Sequence, residues 1–129
     1  MDEAAKKTAL RMIPYGLYVL TSANSEGAVA AATVNWVTQT AFKPPLVVVG
    51  VKAGSGAHEI IKQSGHFALN VLGKSQSGLA FAFFKPAERD GNTVNGEPFH
   101  TGVTGSPLLG SAAAHIECRL TQAIENGDH

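Results

Sequence analysis

The chain has 129 residues, ten basic and ten acidic side chains that cancel, and an apolar fraction of 44%, which suits one compact domain and leaves no net field to hold nucleic acid or an anionic membrane. Its single cysteine, Cys118, excludes an internal disulfide and permits a reducing compartment. No apolar run approaches the roughly 20 residues of a membrane-spanning helix, and Asp2, Glu3, Lys6 and Lys7 are too polar to open a signal sequence, so a soluble cytoplasmic protein is expected. Asp2 to Ile13 is rich in helix formers, with Ala5, Ala9 and Met12 at helical spacing before Pro14, which predicts one short amphipathic helix. Tyr15 to Ala23 is rich in β-formers, Asn24-Ser25-Glu26-Gly27 supplies turn chemistry, and Ala28 to Val37 follows as the second arm of a hairpin.

The stretch from Ala32 to Val51 joins a polar segment to an aliphatic one through Pro44-Pro45. Two prolines remove two backbone donors and favour extended conformations at Lys43 and Pro44, so the ladder is expected to break there and to restart as a buried strand over Leu46 to Val51. Before the break, Thr33, Asn35, Trp36, Thr38, Gln39 and Thr40 carry hydroxyl, amide and indole groups where a core strand would carry aliphatics. Such polar density suits the edge of a flat heteroaromatic ring; the plainer reading is a central strand whose polar groups satisfy neighbouring loops.

Ala53-Gly54-Ser55-Gly56 loosens the chain, Ala57 to Gln63 places Ile60 and Ile61 on one side of a short helix, and Phe67 to Leu72 alternates into a strand. Ser75 to Phe84 has helical composition with aromatics at Phe81, Phe83 and Phe84. Lys85 to His100 is polar and turn-rich and reads as a long surface excursion, a lid or an arm reaching a partner. Leu109 to Glu125 reads as one or two strands, with Ala113, His115, Glu117 and Arg119 alternating against Ala112, Ala114, Ile116, Cys118 and Leu120. Nothing in this order repeats, and no low-complexity tract marks a second domain.

Three sets of residues carry a family resemblance. Asn35-x-x-Thr38 followed by Pro44-Pro45-Leu46-Val47 is similar to the signature of the flavin reductase-like family, the FMN-binding split barrels. Ser64-Gly65-His66-Phe67-Ala68-Leu69-Asn70-Val71-Leu72 resembles that family's Ser-Gly-x-Phe-x-x-Asn-x-Leu strand, and His115-Ile116-Glu117-Cys118 with Gly127-Asp128-His129 resembles its late Glu-Cys and Gly-Asp-His pair. The resemblance covers nearly the whole chain. It implies a mainly β, antiparallel split β-barrel with a few short helices, a single domain over residues 1–129. The family pattern continues past Gly-Asp-His into further strands, so this domain is expected to be incomplete at its C-terminus, as in a module such as the flavin reductase-like part of a flavodiiron protein.

The resemblance also implies sites and partners. The segment Thr33, Asn35, Trp36, Val37, Thr38 and Gln39 would lie along the isoalloxazine ring; Trp36 stands where the family has a smaller residue and would either stack beside the ring or fill a dimer interface. Lys52, Ser55 and His58 would hold the FMN phosphate. Their segment, read from the residues, places N–H groups, a hydroxyl and a cation at a helix N-terminus, which suits phosphate, although a flexible linker with a solvated lysine has the same composition. His129 would help seat the nicotinamide, where the plainer reading is a solvated histidine. The activity implied is hydride transfer from NADH or NADPH to FMN, with FAD as the alternative flavin, in a homodimer that hands electrons to an oxygenase, a diiron partner, ferric iron or oxygen. The alternative is an FMN-binding electron carrier reduced by a partner protein, if Trp36 or Phe81 blocks the nicotinamide; a further one is a heme or cobalamin-type barrel with His66 or His115 as axial ligand. Lys85 and Arg89 either meet nucleotide phosphates or are solvated.

Other chemistry is set aside by spacing. His58, His66, His100, His115 and His129 include no i, i+4 pair and no Cys-x-x-Cys accompanies them, so no metal is expected. Cys118 sits in an apolar run and reads as a buried, inert thiol. The Gly-x-Ser-x-Gly elbow of the α/β-hydrolases does not occur.

Overall fold

The computed structural model describes all 129 residues. In chain order the elements are α1 (Glu3–Arg11), β1 (Tyr18–Ala23), β2 (Val29–Val34), β3 (Val37–Phe42), β4 (Pro45–Val49), α2 (Gly56–Ser64), β5 (His66–Val71), α3 (Ser77–Ala82), β6 (Arg89–Asp90), β7 (Thr93–Val94), β8 (Glu97–Thr101), β9 (Pro107–Leu109) and β10 (Ala114–Arg119). All pairings are antiparallel, in a central sheet ordered β10-β5-β1-β2, a β3-β4 ribbon and a β6-β7-β8-β9 meander. None of these sheets closes on itself, and the mainly β, antiparallel arrangement with few short helices is that of a split barrel.

The central sheet is covered on both faces, which is why β1 and β5 are buried along nearly their whole length. Successive residues of a strand point to opposite faces. Val19 and Ala31 therefore pack with Leu79 and Phe83 of the α3 region and with Val94 and Leu109 of the meander, while Leu20, Ala30, Phe67 and Leu69 pack with Ala57 and Ile61 of α2. Val37, Val47 and Val49 lean on the second of these layers.

Polar side chains join the layers. Asn70, fully buried, donates to the Val19 carbonyl (2.8 Å) and the Thr21 hydroxyl (3.0 Å) and accepts from the Leu109 amide (2.8 Å), so one side chain ties β5 to β1 and β9. Thr21 in turn donates to the Pro107 carbonyl. Glu117 holds the loop between β8 and β9, accepting from the Val103 amide and from the Thr104 amide and hydroxyl. Those bonds keep its carboxyl below the usual range, the Thr104 hydroxyl contributing most. Gly102 leaves room for it, because a Cβ there would meet the Glu117 carboxylate and push it aside.

The helices follow their end signals. Asp2 caps α1 through the Ala4 and Ala5 amides, and Arg11 lies in its last turn; yet no residue of α1 is buried, so its apolar side has no partner within the chain. Ser55 caps α2, and Gly65 ends it in the left-handed conformation at φ 76°.

Several expectations need correction. The proline pair does not break the ladder: Lys43 and Pro44, joined by a cis peptide, form the tight turn of the β3-β4 hairpin, and pairing resumes at once with Phe42 opposite Pro45. Pro44 lies within the turn, where no ladder bond is due, and Pro45 is the first residue of β4, a strand position that tolerates proline. Nor is the following strand buried. The ribbon has one face against the core and one in solvent, leaving Leu46 and Val48 exposed. Lys85 to His100 is not an unstructured excursion but most of the meander, closed by turns at Gly91-Asn92 and at Asn95-Gly96, where both residues take positive φ. Arg89 is solvent-exposed, as the solvated reading expects, but its guanidinium is also engaged: it donates to the Gly27 carbonyl (2.7 Å) and the Gly91 carbonyl (3.0 Å) and lies over the Phe99 ring. The strand read within Leu109 to Glu125 is confined to β10, and Leu120 onward is irregular.

Candidate functional site

Three chain segments meet at the Tyr18–Val34 end of the central sheet. The first is the Asn35-Trp36 link between β2 and β3, which turns sharply because the Val37 amide bonds the Asn35 carbonyl (3.2 Å) and the Gly50 amide bonds the Trp36 carbonyl (2.8 Å). Gly50 is dictated by this link, since its hydrogen faces the indole and a Cβ would sit 3.2 Å from Trp36 Cβ. Trp36 thus stands on the glycine with 55% of its surface exposed.

The second segment is Lys52 to His58, the loop after β4 and the first turn of α2. The Ser55 hydroxyl accepts from the His58 amide (3.2 Å), and the His58 ring accepts at Nδ1 from the Gly54 amide (3.1 Å). The Gly56 and Ala57 amides, first in the helix, have no intrahelical acceptor. The Lys52 side chain is exposed, and Cβ atoms built on Gly54 or Gly56 would touch nothing within 4 Å, so the space above these amides is open. Two N–H groups, a hydroxyl with a proton to donate and an ammonium make an anion-binding donor set at a positive helix end.

The third segment is Glu125 to His129. The Ala53 amide donates to the Asp128 carbonyl (2.9 Å), and the His129 ring meets the Trp36 indole edge-on at 4.8 Å. Glu125 accepts from His58 Nε2 (2.9 Å) and Lys62 Nζ (3.1 Å) through one carboxylate oxygen. With Nδ1 an acceptor, the His58 proton sits on Nε2. The His58 bond, and then the Lys62 bond, hold the Glu125 carboxyl below its usual range. Asp128 is likewise lowered, chiefly by its bond to His129 and to a smaller degree by the charge of Lys52.

Of the residues singled out in the sequence, Asn35, Trp36, Lys52, Ser55, His58 and His129 come together. Val37 follows at the start of β3, half-buried against the core. Thr38 and Gln39 lie on the exposed part of the ribbon, their side chains bonded locally to the Gln39 and Ala41 carbonyls. Thr33 faces the other layer: its hydroxyl donates to the Ala80 carbonyl (2.6 Å) and its amide to the Phe83 carbonyl. His66 and His115 are tied to Ser106 (2.7 Å) and to the Leu109 carbonyl (2.7 Å). Cys118 is half-buried rather than buried, and what burial it has raises its thiol above the usual range. Sequence reading missed Glu125, Lys62 and Gly50. The first two had a signal, since His58 and Lys62 stand four apart on one helix face and present two donors to a single acceptor.

Two surface hollows, of about 630 and 620 Å³, lie elsewhere: one beside Asn24, Glu26, Gln63 and His66 at the opposite end of the sheet, the other along the meander beside Lys85 and Arg89. The Trp36 cluster is an open shelf, and its chemistry rather than its concavity marks it.

Comparison with known proteins identifies the family and the fold. The family model described as "Flavin reductase like domain" matches residues 10–129. A "Probable flavin reductase" of Rhizobium meliloti (strain 1021) is 30% identical over 128 residues, 99% of this chain and 40% of that protein. "NADH-dependent flavin reductase StyB" of Pseudomonas fluorescens is 32% identical over 129 residues, all of this chain and 73% of StyB. The solved structure of the styrene monooxygenase flavin reductase (SMOB) from Pseudomonas putida S12 superposes with a TM-score of 0.80 at 32% identity, covering 96% of this chain and 77% of that one. The chain thus spans less than half of the first relative's length and about three quarters of the second's. No helix is long and apolar enough to cross a membrane.

Proposed function

The chain belongs to the flavin reductase-like domain family, and from that premise we propose that it is an NAD(P)H:flavin oxidoreductase, binding FMN or FAD on the Trp36 shelf and passing the electrons to an acceptor such as an oxygenase. The observation that carries this reading is the convergence of the Asn35-Trp36 link, the Lys52–His58 donor set and the Glu125–His129 segment at one place. The donor set fits a phosphate-bearing tail, because free amides, a hydroxyl and a cation are what a phosphate dianion needs. The half-exposed indole beside a polar link fits a planar ring whose edge requires hydrogen bonds.

A bound flavin supplies the hydride-accepting ring, so the protein needs no strong acid or base of its own. Its residues bind and orient. Lys52, Ser55 and the Gly56 and Ala57 amides would hold the phosphate, Asn35 and the Trp36 amide would meet the ring edge, and His129 would seat the nicotinamide. His58 contributes differently: its ring nitrogens are engaged by the Gly54 amide and by Glu125, so it braces the cradle. Thr33, spent on α3, supports β2 from the opposite face.

The reading treats residues 1–129 as a single flavin-binding domain working in the cytoplasm, where nicotinamide nucleotides are supplied, and as a homodimer. Exposed Trp36, Phe42, Leu46 and Val48 around the β3-β4 ribbon support the last point, since apolar surface of this kind is what a second copy would cover. Sedimentation of the purified chain tests it. The reaction is tested by desalting the protein after incubation with FMN or FAD, then adding NADH or NADPH without oxygen. Catalytic bleaching of the visible flavin band supports the reductase; bound flavin that neither nucleotide bleaches would replace it with the electron-carrier reading.

A further inference from the structure

We propose that Glu125 is a positioning residue: by bridging His58 and Lys62 on α2 it latches the Gly127-Asp128-His129 turn onto the Lys52–Ser55 loop and against Trp36, and so sets the binding of the nicotinamide nucleotide without touching it. The inference deepens the flavin reductase reading and rests on it for the nucleotide, while the latch itself stands on geometry. After β10 ends at Arg119 the chain has no regular structure, so something other than a ladder must hold residues 120 to 129 in place. Its tethers near the site are few: the two bonds to Glu125, the Ala53 to Asp128 backbone bond and the ring contact with Trp36. Of these only the Glu125 bridge ties the segment to a helix, and α2 is fixed in turn by Ala57 and Ile61 in the core. Lys62 and His58 come from successive turns of one face and converge on the same Glu125 carboxylate oxygen, which fixes where the segment meets the helix. His129 is therefore placed by a contact four residues away.

Trp36 is the only tryptophan, so in the ligand-free protein the tryptophan emission comes from the side chain that His129 meets. The test compares Glu125→Gln with Glu59→Gln, which removes an equal charge from an exposed α2 side chain that makes no bond, in the ligand-free 129-residue protein. Exposed ion pairs bias a local equilibrium only modestly, so Glu125→Gln is expected to raise the acrylamide quenching constant of Trp36 about 1.5-fold, and Glu59→Gln to leave it unchanged. Both variants should keep the wild-type circular dichroism. In turnover with saturating FMN, Glu125→Gln should raise the KM for NADH about threefold with kcat nearly constant, and that increase should vanish in a His129→Ala background. An unchanged quenching constant overturns the latch even in an active reductase. A KM increase that adds to that of His129→Ala, or no increase at all, overturns the positioning role. If the protein reduces no flavin, the functional reading fails and quenching alone decides the latch.

Discussion

Replacing Asn70 with leucine keeps the branching of the side chain, adds some volume and removes the three hydrogen bonds through which Asn70 ties β5 to β1 and β9. The Leu109 amide, in a residue with no solvent exposure, loses its acceptor and cannot turn to water. The Val19 carbonyl and the Thr21 hydroxyl lose a donor, but the hydroxyl keeps its bond to Pro107. An orphaned buried amide costs about 1–3 kcal/mol, and each lost bond between retained partners adds about 1 kcal/mol or less, so the sum should be about 3 kcal/mol. Leucine leaves no cavity but is the bulkier side chain, so any overpacking at this fully buried position adds to the loss. In urea, with a slope of about 2 kcal/mol/M for a domain of this size, the midpoint should fall by about 1.5 M with the slope unchanged. A fall of less than about 0.3 M would refute the reasoning, because it would mean that the Leu109 amide finds another partner at little cost.

Gly102→Ala should drive the Glu117 carboxylate off the Val103 and Thr104 amides and lower the melting temperature by about 3–6 °C, as read by calorimetry. Arg89→Ala should loosen the Gly27 turn from the meander, and Arg89→Lys should not rescue it, since a single ammonium cannot serve both the Gly27 and Gly91 carbonyls in the fork geometry; thermal melts of the pair decide this. The carboxyls of Glu117, Glu125 and Asp128 are all held low in the folded protein. Their contribution is therefore complete above the ordinary carboxylate range and is lost as pH falls through the folded values, so stability should be flat above about pH 5 and decline below about pH 4. Glu117→Gln should flatten part of that decline in a pH series of melts. Lys52→Ala should weaken FMN about tenfold in equilibrium titration and leave riboflavin, which has no phosphate, unchanged.

Sequence reading recovered the elements whose signals are local. The helix formers before Pro14 and the Ile60-Ile61 pair marked α1 and α2, and the runs Tyr15 to Ala23 and Phe67 to Leu72 marked β1 and β5, which are buried because both faces of the central sheet are covered. It failed where a rule has two outcomes. Pro44-Pro45 removes donors equally in a broken ladder and in a turn, and only pairing of Phe42 with Pro45 distinguishes them. Asn95-Gly96 carried a hairpin signal, but the strands it joins are too short to show alternation. At the site, the residues around Trp36 and Lys52 were legible from their polarity and their loop. The roles of Thr33, His58 and Arg89 were not, because a side chain's polarity does not say whether its partner is a ligand or the chain's own backbone.

The central claim, that the Trp36 shelf holds the flavin, is tested most directly by titrating FMN into the protein while following the emission of that lone tryptophan. A flavin seated between the Asn35-Trp36 link and the Lys52–His58 cradle should quench Trp36 saturably, and Lys52→Ala should shift the titration to higher FMN without changing its end point. Flavin binding that leaves Trp36 emission untouched, or that ignores Lys52, would place the cofactor elsewhere and contradict the account.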